Sequence, residues 1–281
     1  MSAEVVRTDL HGHTRYSDGR QTPEAFVQTR VDHGLGVIAV SDHDTFAAVP
    51  AAADAARAAG LTLIPAMEVT AFLHFGTPRA EQLHVLAYFP PRLLADGALG
   101  RTGLGDRAVR VTRRWRAFVL EWLASLPLEE RWYLDPGAQL ADLDGTAFPA
   151  LQAFLDLVHR RNARVYEAFI RHHVRFWDGD AALFGWSPEE AIEQIRADGG
   201  VDIVAHPVRI RDGARLDQVL AHASGHEVYT SRHKPEVAAA FLARAQATGK
   251  HWTASSDDHQ HAPYVPPVQG TPRRTVERLL G

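Results

Sequence analysis

The stretch Val5-Val6-Arg7-Thr8-Asp9-Leu10-His11-Gly12-His13 decides the fold. A run from Val5 to Leu10 reads as a strand, and it ends in two histidines at alternate positions. Side chains alternate across a strand, so His11 and His13 project to the same side, and two imidazoles on one face make half a metal site. Asp18, in the turn Ser17-Asp18-Gly19, is placed to fold back over that half-site. Working outward, Thr22 followed by Pro23 reads as an N-cap with proline at the first helical position, opening a helix that ends near Gly34. Val37 to Val40 is a buried strand run ending in Ser41-Asp42-His43-Asp44. Ala47 to Ala59 is an alanine-rich helix closed by Gly60, and Leu61 to Ile64 returns as a strand running into Pro65-Ala66-Met67-Glu68. A further strand, Leu83 to Phe89, carries His84. This alternation is the pattern of βαβ units and a parallel sheet, so the fold class is α/β.

From about Asp96 the pattern changes to long amphipathic helices. Trp115, Phe118, Val119, Trp122 and Leu126 form one apolar stripe, and Leu151, Phe154, Leu155, Val158, Val165 and Phe169 form another. The βα rhythm resumes at the capping box Ser187-Pro188-Glu189-Glu190, after which the strand Val201 to Ala205 runs directly into His206-Pro207. Strands near Glu227–Tyr229 and His251–Ala254 bracket a helix from Pro235 to Thr248, and the last strand leads to Ser256-Asp257-Asp258-His259. The expected organisation is a discontinuous α/β unit, residues 1–95 and 187–281, interrupted by a helical insertion over 96–186.

Composition narrows the chemistry. The 281 residues are 46% hydrophobic and 23% charged, which excludes a wholly disordered, collagenous or coiled-coil chain. There is no cysteine, so disulfides, thiolate metal sites and cysteine nucleophiles are excluded together, while 16 histidines point to imidazole as the preferred ligand. A formal net charge of −4 argues against a broad polyanion-binding surface and confines any phosphate recognition to a local pocket. The absence of a basic, then apolar, leader and of any apolar run of membrane-spanning length gives a cytoplasmic protein as the expectation.

Six histidines (His11, His13, His43, His84, His206 and His259) and three carboxylates (Asp18, Glu68 and Asp257) arrive from six segments at predicted strand ends or beside them. Parallel α/β folds and barrels place their active sites at the C-terminal ends of strands. Any one of these residues alone is most simply a polar residue in a turn, but together the same chemistry recurs strand after strand. An all-nitrogen and oxygen donor set suits Mn²⁺, Fe²⁺ or Zn²⁺.

The segments LHGHTRYSDG, SDHDT, PAMEVT, LHVLAYF, AHP and SSDDH resemble, in order, the successive motifs of the PHP (polymerase and histidinol phosphatase) metal-dependent phosphoesterases. The resemblance covers residues 8 to 95 and 187 to 260 and implies a distorted (β/α)7 barrel around a trinuclear centre. Carried over by motif, His11, His13, Glu68 and Asp257 would bind one divalent ion. Glu68, bridging, with His84 and His206 would hold the second, and Asp18, His43 and His259 the third. Clustered ions of this kind bring the pKa of a bridging water towards neutrality and neutralise phosphoryl oxygens during in-line displacement. Arg209, in AHPVR, matches an arginine of the phosphatase-like members and would clamp a phosphate; a surface arginine is the alternative. Asp44 beside His43 is expected to orient an imidazole or to protonate the leaving group. His233 reads either as a further residue of the pocket wall or as a surface histidine.

The insertion carries Arg160, Arg164, Arg171 and Arg175, whose spacings put them on one helix face, with Arg110, Arg113 and Arg114 nearby. They read either as a basic cap for a nucleotide or RNA end, or as a solvated helix face. The arginine-containing segment usual in the phosphatase-like members is missing here; the stretch reads LVHRRNARVYEAF. The expected substrate is a small phosphorylated molecule, a nucleotide such as a 3′,5′-nucleoside bisphosphate or a short RNA end. A histidinol-phosphate-type phosphomonoesterase and a non-catalytic metal-binding module are the alternatives.

Overall fold

The computed structural model describes residues 4–281. The run read as one strand from Val5 is divided: β1 (Val5–Val6) pairs antiparallel with β9 (Thr271–Pro272), while β2 (Thr8–Asp9) enters the main sheet. In chain order the elements that follow are α1 (Pro23–Asp32), β3 (Val37–Val40), α2 (Val49–Ala59), β4 (Thr62–Leu73) and β5 (Glu81–Tyr88). After a 3₁₀ turn come α3 (Gly103–Ser125), α4 (Leu128–Leu134), α5 (Gln139–Asp142), α6 (Leu151–Arg161), α7 (Ala163–His173), α8 (Arg175–Asp178), α9 (Ala181–Phe184) and α10 (Pro188–Ala197). The chain closes with β6 (Val201–Val204), α11 (Gly213–His222), β7 (Gly225–Tyr229), α12 (Pro235–Thr248), β8 (His251–Ala254), β9 and α13 (Arg273–Leu280).

The main sheet runs β2-β3-β4-β5-β6-β7-β8. It curls towards closure because the segments beyond its two edge strands pair as well: the His13 N–H donates to Asp258 O (2.9 Å) and the Asp257 N–H to His11 O (2.9 Å). The result is a distorted (β/α)7 barrel with helices around it. The expectation of an all-parallel sheet fails at β5, which is antiparallel to both β4 and β6. Only residues 74–80 join β4 to β5, too few for a crossover helix, so the pair must form a hairpin. For the same reason Glu68 is not at a strand end: β4 is a 12-residue strand, and Glu68 lies inside it.

Local signals account for the helix boundaries near the site. The Thr22 hydroxyl accepts from the Ala25 N–H with Pro23 at the first helical position, and Ser187 and Glu190 form a full capping box at α10. Both apolar stripes of the helical segment meet in one core of their own, in which Phe118, Trp122, Phe154, Val158, Val165 and Phe169 are buried together. The arginine face is interrupted. Asn162 ends α6 in an extended conformation and caps α7 by accepting from Arg164 N–H and Val165 N–H, so Arg160 does not share a helix with Arg164 and Arg171, and Arg175 begins the separate α8. Among the described residues, no helix is long and apolar enough to cross a membrane.

Candidate metal centre

The first half-site forms as alternation requires. His11 and His13 follow β2, both fully buried, with Nε2 atoms facing each other at 3.2 Å. Two imidazole nitrogens can approach like this only with a proton or another cation between their lone pairs. Glu68 supplies the opposing charge from β4: its Oε2 lies 3.1 Å from His11 Nε2 and 3.2 Å from both His13 Nε2 and His43 Nδ1. Its Oε1 lies 2.8 Å from His84 Nδ1 and 3.0 Å from His206 Nε2. Asp257 Oδ1 completes a compact group, 3.5 Å from His11 Nε2 and 3.4 Å from His13 Nε2.

A second group gathers around Asp18. Its Oδ1 is 3.4 Å from His13 Nδ1, and its Oδ2 is 3.5 Å from His43 Nε2 and 3.3 Å from His259 Nε2. Asp18 reaches this position because the turn packs directly on His13. A Cβ at Gly19 would stand 2.5 Å from the His13 carbonyl carbon, so only glycine permits the approach. All nine residues nominated from the sequence as ligands therefore join one network of nitrogen–oxygen approaches between 2.8 and 3.6 Å.

The electrostatics fit a site built for cations. Burial alone would protonate Glu68, but His11, His84 and His43 outweigh it and hold its pKa well below the usual range. Burial disfavours a charged His13, yet Asp18, Asp257 and Glu68 hold its pKa up at about 10. At His84 burial wins, and the pKa falls to about 4, leaving a neutral imidazole. Glu68 Oε2, His43 Nδ1 and His84 Nε2 are buried without a hydrogen-bond partner. Donors around a first-row ion at its normal bond lengths stand roughly 3.0–3.6 Å apart. His11 Nε2, His13 Nε2, Glu68 Oε2 and Asp257 Oδ1 are 3.1–3.5 Å apart in every pairing that includes a histidine. The residues present fit divalent metal ions.

Three of these site residues have left-handed backbone: Asp44 (φ 51°), His206 (φ 25°) and Asp257 (φ 52°). Such conformations cost about 1–3 kcal/mol each outside glycine and persist where surrounding contacts impose them. For His206 and Asp257 those contacts are hydrogen bonds from the backbone N–H. His206 N–H donates to Glu227 Oε2 (2.7 Å) and Asp257 N–H to His11 O.

Several residues here were not legible in the sequence. Glu227, fully buried on β7, accepts from His11 Nδ1 (3.1 Å) and so fixes the ring with Nε2 turned towards Glu68. Asp42 accepts from Thr14 N–H (2.7 Å), Thr14 Oγ1 (2.6 Å) and Ser17 Oγ (2.6 Å), pinning the turn that carries Asp18. Arg232 donates from Nε to Asp257 Oδ2 at 2.6 Å. Partial burial disfavours its charge, but Asp257, Glu68 and Asp18 more than compensate and raise its pKa.

The three residues nominated for roles beyond the metals behave differently. Asp44 does not orient an imidazole. Its Oδ1 accepts from Thr70 N–H (3.0 Å) and from the buried Arg107 guanidinium, which α3 delivers and which lies 4.3 Å over the Trp186 ring. Arg209, in the turn after His206, is exposed and has no ion pair among the described residues. His233 donates from Nδ1 to Val228 O (2.9 Å) and stacks on Phe241 at 5.1 Å, with its Nε2 buried and unpartnered.

Comparison with known proteins gives a consistent picture. A family model described as the PHP domain matches residues 9–121. The chain is 39% identical over 209 residues to the 5′-3′ exoribonuclease of Haemophilus influenzae, a match covering 72% of this chain and 69% of that protein. It is 27% identical over 272 residues to 5′-3′ exoribonuclease Rnm of Salmonella typhimurium, spanning 93% and 88% of the two chains. To the 3′,5′-nucleoside bisphosphate phosphatase of Chromobacterium violaceum it is 24% identical over 262 residues, 91% and 88% of the two. A solved structure from Bifidobacterium adolescentis matches with a TM-score of 0.69 at 24% identity, over 99% of this chain and 97% of that one, which is a likeness of fold.

Proposed function

The chain belongs to the PHP family of metal-dependent phosphoesterases, hydrolases of phosphoester bonds, and from that premise we propose that its substrate is a short RNA end or a 3′,5′-nucleoside bisphosphate. The named activities of the relatives support this substrate class. We place His11, His13, Glu68 and Asp257 around one ion, Glu68, His84 and His206 around a second, and Asp18, His43 and His259 around a third, each ion Mn, Fe or Zn. The observation that carries this assignment is Glu68, whose two oxygens face different histidines: Oε1 looks to His84 and His206, Oε2 to His11, His13 and His43. Divalent ions held there supply neutralisation of the phosphoryl charge and an activated water.

The chain's own residues do the positioning. Glu227 fixes His11, Asp42 fixes the Asp18 turn, and Arg209 and His233 remain proposed contacts at the rim. Residues 96–186 act in this reading as a lid over the substrate. Support comes from Gln152, whose N–H at the start of α6 donates to Ser17 O (3.2 Å), next to Asp18.

The test is a substrate panel with wild type and Glu68→Ala: 5′-phosphorylated oligoribonucleotides of a few residues, a nucleoside 3′,5′-bisphosphate and histidinol phosphate. Wild type is expected to turn over one or both of the first two, and Glu68→Ala none. Turnover of histidinol phosphate alone would overturn the substrate class. Metal analysis of protein purified without chelator should find close to three ions per chain, and one or none would remove the trinuclear assignment.

A further inference from the structure

Among the described residues, Arg232 is the only arginine or lysine paired with any of the nine donor residues. It lies in the turn between β7 and α12, and its neighbour His233 is fastened beneath α12 by Val228 O and the Phe241 ring. The Arg232 Nε takes Asp257 Oδ2 at 2.6 Å, while Asp257 Oδ1 faces His11 and His13. A guanidinium is a planar fork of five donors, so using Nε on one carboxylate leaves both Nη groups in the same plane. Those groups have no protein partner among the described residues, and the side chain is 44% exposed. A charged fork with one edge on a donor carboxylate and the other open is suited to an oxyanion lying against that carboxylate. Once cations fill the donor cluster, Asp257 is shared with them, and an anion can bind Arg232 and the centre together. Arg209 lacks such an anchor.

We propose that Arg232 is a catalytic residue: its Nε holds Asp257 while its Nη edge binds the non-bridging oxygens of the scissile phosphoryl group. This rests on the phosphoesterase reading of the same centre. Negative charge on those oxygens is carried through the displacement, so the contact acts on turnover as well as on binding.

The experiment compares wild type, Arg232→Met and Arg232→Lys as metal-loaded proteins with metal content measured in each sample. Binding of inorganic phosphate is followed by calorimetry and hydrolysis of an aryl phosphate in parallel. Losing a charged bidentate contact is expected to weaken phosphate binding by about 10- to 100-fold in Arg232→Met at unchanged metal content, with kcat falling as well. Lysine restores charge without the fork and is expected to recover only part of the loss. Unchanged phosphate affinity in Arg232→Met, or a loss that merely follows a loss of metal, would overturn the proposal. A wild type that cleaves the aryl phosphate but neither RNA nor the bisphosphate would remove the proposed substrate class and leave the Arg232 result readable.

Discussion

His13 shows how the centre behaves before any ion arrives. Burial opposes its positive charge, but Asp18, Asp257 and Glu68 hold its pKa near 10 against an ordinary value of 6.5. A group that binds its proton more tightly when folded stabilises the fold fully below its unfolded pKa and loses that contribution as pH rises through the folded one. His13 therefore supports the metal-free protein at pH 6.5 and progressively less towards pH 10. Metal ions compete for the same nitrogens and bind better as protons leave. In chelator, Tm is expected to fall between pH 7 and pH 10; in saturating Mn²⁺ the fall should vanish or reverse. A chelated Tm that climbs over that interval would contradict the charge assignment. At this scale the nine clustered residues were legible because each sits in a short polar motif beside a hydrophobic run. Glu227 was not, because Gly225–Tyr229 reads as an ordinary strand and alternation alone does not say which face is the interior. Arg232 carries no such signal, because nothing local in the turn reveals that Asp257, 25 residues on, is its partner.

Among the elements, α3 is tied to the edge of the site by one residue. Arg107 projects from it, 3% exposed, onto Asp44, which is 1% exposed and immediately follows His43. The same Asp44 oxygen holds Thr70 N–H, and Arg107 Nη2 donates to Thr70 O (3.2 Å), so the pair binds the loop after β3, strand β4 and helix α3 into one joint. Removing one member of a buried ion pair strands the other charge and typically costs about 3–5 kcal/mol. Arg107→Met is therefore expected to lose about that much in urea denaturation, and Asp44→Asn combined with Arg107→Met to recover part of it. A single variant within about 0.5 kcal/mol of wild type would show that the joint carries no load. The sequence does not reveal this joint, because the partner of Asp44 lies 63 residues away on a helix whose buried face is otherwise apolar. Element type was legible from period and caps, as the Pro23, Pro188 and Pro235 starts show. Strand direction was not, because the alternation of β5 looks the same read either way along the sheet. Nor was the break at Asn162, since its neighbours keep a helical period on both sides.

Across the whole molecule, the nine donors come from six segments that meet only when the sheet curls so that Gly12 pairs with Asp258. None of them lies in the helical segment, whose aromatic core around Phe154 and Phe169 is built from its own residues. Binding energy from metal should therefore enter the barrel and leave that core almost unchanged. An ion held at a hundred times its Kd adds about 2.7 kcal/mol per site, and roughly 1 kcal/mol moves Tm by about 2–4 °C in a chain of this size class. Chelation is thus expected to lower Tm by about 5–10 °C for each site emptied. In hydrogen exchange the protection lost should concentrate at residues 11–19, 41–44 and 256–260, with α6 and α7 changing little. If α6 and α7 lost protection as much as the donor loops, the two cores would be one cooperative unit, and the lid proposed for residues 96–186 could not move without disturbing the nine clustered side chains.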